Sequence, residues 1–161
     1  MEIVKAKHFY SFGCDTLIKG FVDESVMEAK YADAGAKDID ISVEQNDEGY
    51  VVNVQRAVPT NVPASLKAFL GEWNNLKQSE TWTGSAESGY RCELSIEVVD
   101  VPVAVNGTME MTSNGLLTTN NVEFQISSDV PLFGGQVEKL VYDDIKKTIE
   151  QEFEYLKGNL T

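Results

Sequence analysis

Gln136-Val137-Glu138-Lys139-Leu140-Val141-Tyr142-Asp143-Asp144-Ile145-Lys146-Lys147-Thr148-Ile149-Glu150-Gln151-Glu152-Phe153-Glu154-Tyr155-Leu156 decides the fold. The apolar positions Val137, Leu140, Val141, Ile145, Ile149, Phe153 and Leu156 are separated by 3, 1, 4, 4, 4 and 3 residues, the rhythm of one helix face. Gly134-Gly135 sets the start of this helix, which at 1.5 Å per residue is a rod of about 31 Å. Upstream, almost everything from Asp38 to Asp129 reads as strands. A long amphipathic helix after a run of strands has to lay its apolar stripe on the apolar face of the sheet. That arrangement predicts a container for an apolar molecule.

Working outward, Ile3 to Tyr10 reads as a first strand with Val4, Ala6, His8 and Tyr10 on one side. Gly13 breaks it. A short helix from Cys14 to Val22 gathers Leu17, Ile18 and Phe21. Asp23 is a good N-cap for a second helix with Val26, Met27 and Tyr31 on one face, closed by Ala34-Gly35. Six strand signals follow. Ile39, Ile41 and Val43 alternate with polar neighbours, and Asn46 to Gly49 is a turn into Tyr50, Val52 and Val54, so the pair forms a hairpin. A less clean strand covers Trp73 to Thr83. The next has Tyr90, Cys92, Leu94, Ile96 and Val98 inward. The last two carry Val103, Val105, Met109 and Met111, then Val122, Phe124 and Ile126 after an Asn114-Gly115 turn. Alternation of period two means one wet and one buried face, as in an antiparallel sheet. Between Val58 and Gly71, Val58-Pro59 and Val62-Pro63 rule out a central strand. Ala64 to Leu70 reads there as one or two helical turns, with Val62, Leu66, Phe69 and Leu70 pointing the same way. Seven strands at about 4.8 Å span about 34 Å, close to the length of the final helix. The expected fold is therefore α+β: a curved antiparallel sheet of about seven strands wrapped around a long C-terminal helix, with two short helices after strand 1. No linker divides the chain, so residues 1–161 are expected to form a single domain.

The order of elements resembles the helix-grip fold of the START-like superfamily, also called SRPBCC or birch-pollen-allergen-like, over about residues 2 to 157. Arg56-Ala57-Val58-Pro59-Thr60-Asn61-Val62-Pro63 followed by Leu66-Lys67-Ala68-Phe69-Leu70-Gly71, together with Glu80-Thr81-Trp82 and Val130-Pro131-Leu132-Phe133-Gly134-Gly135-Gln136-Val137-Glu138, resembles an uncharacterised bacterial branch, a domain of unknown function. The resemblance implies a deep cavity between sheet and C-terminal helix. Superfamily members hold lipids, sterols, polyketides or plant hormones there, and a minority are enzymes. These motifs supply turns and a helix start and transfer no catalytic residue. The fatty-acid-binding barrel also places two short helices after its first strand, but it has no C-terminal helix to match Gln136 to Leu156.

Composition narrows the function. The net charge is −13, from 26 acidic and 13 basic residues. Such a surface repels nucleic acids and anionic membranes, so neither is an expected partner. No run of 18 apolar residues suits membrane insertion, and Met1-Glu2-Ile3-Val4-Lys5 lacks the pattern of a signal peptide, so a cytoplasmic location is expected. Cys14 and Cys92 are then reduced thiols without zinc-site spacing. The single histidine, His8, has no motif around it and reads as strand packing rather than as a catalytic base. With no nucleotide fingerprint and one histidine, the expectation is no catalytic residue, no metal and no cofactor. Glu150 and Glu154 lie off the apolar stripe and read as a solvated face.

The candidate ligand-binding residues are the inward ones: Tyr50, Arg56, Glu80, Trp82, Tyr90, Met109, Met111, Phe124, Val141 and Ile145. For the aromatic and methionine side chains, pocket wall and ordinary core are equally open readings. Arg56 continues the inward register of Tyr50, Val52 and Val54, and Glu80 shares register with Leu76 and Trp82. A buried charge needs a partner, so the two are expected either to pair or to hold the polar end of a ligand. The alternative for Arg56 is a strand-end position with its stem reaching water. The functional expectation is a binding module for a lipid-like or other hydrophobic small molecule. The alternatives are a polyketide cyclase or aromatase using the same cavity, or a protein-interaction module like the START-like chaperone regulators. No protein partner is specified by the sequence.

Overall fold

The computed structural model describes residues 1–60, 64, 67, 68 and 71–160. The expected turns at Ala64 to Leu70, and the shared direction of Val62, Leu66, Phe69 and Leu70, fall largely outside the described residues. Strand β1 is Glu2–Tyr10, followed by α1 Cys14–Leu17, α2 Lys19–Val22 and α3 Glu24–Asp33. Six strands follow: β2 Lys37–Gln45, β3 Gly49–Pro59, β4 Trp73–Ser85, β5 Gly89–Val98, β6 Val103–Asn114 and β7 Leu117–Ser128. Helix α4, Gly134–Asn159, closes the chain. Where the sequence predicts one short helix, there are two, which meet at Ile18, itself in helical conformation at φ −58° and ψ −27°.

The strands form one curved sheet in the order β1-β7-β6-β5-β4-β3-β2, every neighbouring pair antiparallel. Hairpins join β2 through β7, so the sheet grows one strand at a time. The exception is the step from β1 to β2, which lie on opposite edges. Helices α1 to α3 make that crossing and cover one end of the concave face. Asp23 caps α3 by accepting from the Ser25 and Val26 amides at 3.0 and 3.2 Å, and Gly35, at φ +94°, ends it in the left-handed conformation a glycine adopts without strain. In the β2–β3 turn the Asn46 side chain accepts from the Glu48 and Gly49 amides, both at 2.9 Å. At the centre of β6, Gly107 lets β7 approach: a Cβ there would stand 2.7 Å from Cδ1 of Phe124 and 2.9 Å from the Glu123 carbonyl oxygen.

The buried residues line the concave side. Val52 and Val54 from β3, Cys92 and Leu94 from β5, Val103, Val105, Met109 and Met111 from β6, and Val122, Phe124 and Ile126 from β7 all point into it. Leu17, Phe21 and Met27 close it from the helical crossing. Among the described residues no helix is long and apolar enough to cross a membrane.

Candidate functional site

Helix α4 is held at its two ends. Val137 and Leu156 are fully buried, whereas Leu140, Val141, Ile145 and Ile149 between them are only half-buried, although all belong to the same apolar stripe. A helix lying flush on a sheet buries its middle at least as well as its ends. Here the helix packs on β1 and β7 and stands off from the rest of the concave face. The space beneath is a cavity of about 310 Å³. Its apolar wall includes Leu94, Ile96, Val105 and Phe124 on the sheet, with Val141 and Ile145 on the helix. Asp33 and Ala34 at the end of α3, and Lys147 and Gln151 on α4, line both this cavity and the surface groove outside it, so the cavity opens between α3 and α4.

Polar groups are concentrated on the α3–β3–β4 side of the wall. Lys30 is 4% exposed. Its Nζ donates to the Gly20 carbonyl at 2.8 Å, pairs with Glu152 at 3.3 Å, and sits 4.4 and 4.9 Å from the ring centres of Phe21 and Tyr31. Burial works against the ammonium, but the charge of Glu152, with Tyr31 and Glu80 nearby, outweighs it and holds the Lys30 pKa above its ordinary value. Glu80 accepts from Trp82 Nε1 at 2.8 Å and, on its other oxygen, from Gln78 Nε2. Burial pushes the Glu80 pKa up, against the pull of Lys30 and of these two donors. Arg56 differs from both. Its guanidinium lies over the Tyr31 ring, with Cζ at 4.4 Å from the centroid, and among the described residues no carboxylate or carbonyl meets it. Its Nη1 is buried without any hydrogen-bond partner.

A second polar region lies beside α4. His8 Nε2 is 2.9 Å from Oε1 of Glu150, and its ring stacks on Phe153 at 4.3 Å with an interplanar angle of 8°. Across the β1–β7 ladder its partner is Asn120, whose Oδ1 is buried and also unpartnered. Tyr10 meets the edge of Phe153 at 5.1 Å, and burial drives its pKa well up, reinforced by Glu152 and Glu150. His8, Tyr10 and Asn120 all reach the cavity wall.

Of the residues singled out from the sequence, Arg56, Glu80, Met109, Phe124, Val141 and Ile145 stand on the cavity wall. Tyr50, Trp82, Tyr90 and Met111 do not. They point to the concave side, as alternation requires, but at the end that α1 and α2 fill. Trp82 packs against Phe21 of α2 at 5.4 Å, and the Cys14 amide that begins α1 donates to Ser113 Oγ of β6 at 2.9 Å, covering the strand ends around Tyr90 and Met111. Alternation identifies the face of the sheet, not which part of it another element covers. The expected Arg56–Glu80 pair does not form either. Arg56 is opposite Leu76, and Glu80 is opposite Val52. Four residues of strand, about 13 Å, separate their positions.

Lys30 is a wall residue the sequence reading missed. Its signal was available: it follows Val26 by four residues and Met27 by three, so it belongs to the apolar face of α3. Gln78 shares the parity of Leu76 and Glu80 and was equally legible. Glu150, a flank position of α4, gave no sign of reaching His8.

Residues 5–159 match the profile of a family described as "Protein of unknown function (DUF2505)". The chain belongs to the DUF2505 family. No curated protein sequence matches this DUF2505 chain. Among solved structures it is similar to TTHA0849 from Thermus thermophilus, at 15% identity and a TM-score of 0.61, over 96% of this chain and 97% of that one. A START superfamily protein from Mycobacterium smegmatis matches at 14% identity and a TM-score of 0.61, over 97% and 94% of the two chains. Ara h 8.0201 matches at 14% identity and a TM-score of 0.58, over 98% and 95%. At these identities the likeness concerns the fold alone: the chain has the helix-grip α+β fold.

Proposed function

We propose that this protein is a binding module that encloses a hydrophobic small molecule between the concave sheet and α4. The observation that carries the reading is the stand-off of the helix: an apolar stripe buried at Val137 and Leu156 is left half-buried over its central turns, above a cavity of about 310 Å³. An empty apolar hollow costs its lining residues their packing partners. A ligand restores them. A largely apolar cavity with a few placed polar groups matches sites for lipid-like or aromatic molecules. Native mass spectrometry of protein purified from its own host tests the proposal. A co-purifying small molecule, released on denaturation, supports it; bare polypeptide that also takes up no apolar ligand afterwards overturns it.

One observation favours a second reading, an enzyme of the cyclase or aromatase kind. His8 and Glu150 form a hydrogen-bonded acid–base pair, and His8 stands on the wall. In that reading His8 moves a proton on the bound molecule while Glu150 orients its ring. A bound molecule recovered chemically unchanged after incubation with the protein favours the carrier; one converted by the wild type but not by His8→Gln favours the enzyme.

A further inference from the structure

We propose that the ligand is an amphipathic acid whose carboxylate, or an equivalent anionic oxygen, is received by Arg56. This deepens the binding-module reading and rests on it. One buried charge on the cavity wall lacks a counter-ion among the described residues. An arginine stays protonated inside proteins, and Arg56 is 9% exposed, on the cavity wall. The other buried charged groups of that wall have partners, while Asp33, Asp144 and Lys147 on the same wall are exposed to water. Glu152 and the Gly20 carbonyl take Lys30, and Trp82 and Gln78 occupy the two oxygens of Glu80. Among the described residues nothing accepts from Arg56. Its Cζ lies 4.4 Å from the centre of the Tyr31 ring, a contact that satisfies none of its N–H groups, and Nη1 stays buried and unbonded. A buried cation without an acceptor is costly. A planar anion entering between α3 and α4 would supply the acceptor that this guanidinium lacks, since a carboxylate matches its fork with two parallel hydrogen bonds. The apolar wall from Leu94 and Ile96 to Val141 and Ile145 then takes the hydrocarbon part.

The test uses decanoic acid and 1-decanol, equal in chain length and different in charge, titrated calorimetrically into the full chain at pH 7.5 and low salt. Nile red, a neutral dye, reports on the cavity independently. The expected result is that decanoate binds at least about tenfold more tightly than decanol, the value of one hydrogen-bonded charge. Arg56→Met should remove that preference while leaving decanol and Nile red affinities within about twofold, and Arg56→Lys, which keeps charge but not the fork, should retain part of it. Removing an unpaired buried charge does not threaten folding, and a thermal melt of each variant confirms that. If Nile red and decanol bind but decanoate binds no more tightly, or if the preference survives Arg56→Met, the acid proposal is wrong and the apolar cavity stands. If none of the three binds, the binding-module reading fails and the acid proposal fails with it.

Discussion

Truncating the stripe of α4 at one end and at its middle should give very different losses. Leu156 is fully buried and meets Gly20 so closely that a Cβ on that glycine would stand 2.6 Å from its Cδ2. Leu156→Ala strips an isobutyl group to a methyl. At about 0.8 kcal/mol per buried carbon the transfer loss is about 2.4 kcal/mol. The void left in a tightly packed site raises the total to about 3–4 kcal/mol. Ile145→Ala removes the same number of carbons from a half-buried residue that already borders open space. It creates no new void and loses only part of the transfer term, about 1 kcal/mol. Urea melts at a common slope measure both losses. In a chain of this length each kcal/mol moves Tm by roughly 2–4 °C, so thermal scans should separate the variants clearly. Equal losses at the two positions would show that the middle of α4 is packed as firmly as its end, and the cavity beneath it would have to be abandoned.

Other outcomes follow from the same geometry. Arg56→Met should leave stability unchanged or raise it by up to about 2 kcal/mol, since it removes an unpaired buried charge at the cost of one cation–ring contact; a loss above that size in a denaturant melt would mean an ionic partner for Arg56 exists. Glu80→Gln tests the raised pKa of Glu80. A carboxyl raised above its ordinary value of 4.5 by burial contributes stability below that value, and this is lost as the pH rises through its folded pKa. The variant should therefore gain on the wild type as the pH increases above about 4.5; a stability difference that does not change with pH would refute it. Gly107→Ala should cost about 1–3 kcal/mol, because the added methyl meets Phe124 and the Glu123 carbonyl, and a neutral melt would show that β7 has room to move.

The order of elements was legible in the sequence because the two periodicities are unambiguous. The stripe from Val137 to Leu156 marks α4, although the helix runs a few residues further at each end, and the alternation from Tyr90 to Val98 marks β5 to within a residue. The strand from Trp73 was less clean and runs on to Ser85, since Gln78 and Glu80 put polar side chains on its buried face. Site residues were legible only as far as facing goes. Parity placed Arg56 and Glu80 inward, but it carries no information on axial register, so two residues on adjacent strands were expected to meet when their positions lie about 13 Å apart. Trp82 and Met111 were legible as buried and not as covered by α1 and α2, because a crossing helix leaves no mark on the strand beneath it. Lys30 was overlooked because a lysine reads as solvated; four methylenes let it join the apolar face of α3 while its ammonium finds Glu152 and the Gly20 carbonyl.

The central claim, that an apolar molecule occupies the space between α4 and the sheet, is tested most directly by titrating Nile red into the wild-type chain and into Ile145→Trp, which extends an indole from α4 into the cavity. The account predicts saturable binding of one dye per chain, with blue-shifted emission, in the wild type, and loss of that binding in a variant that remains folded. Binding of equal strength in both proteins would place the dye elsewhere and contradict the claim.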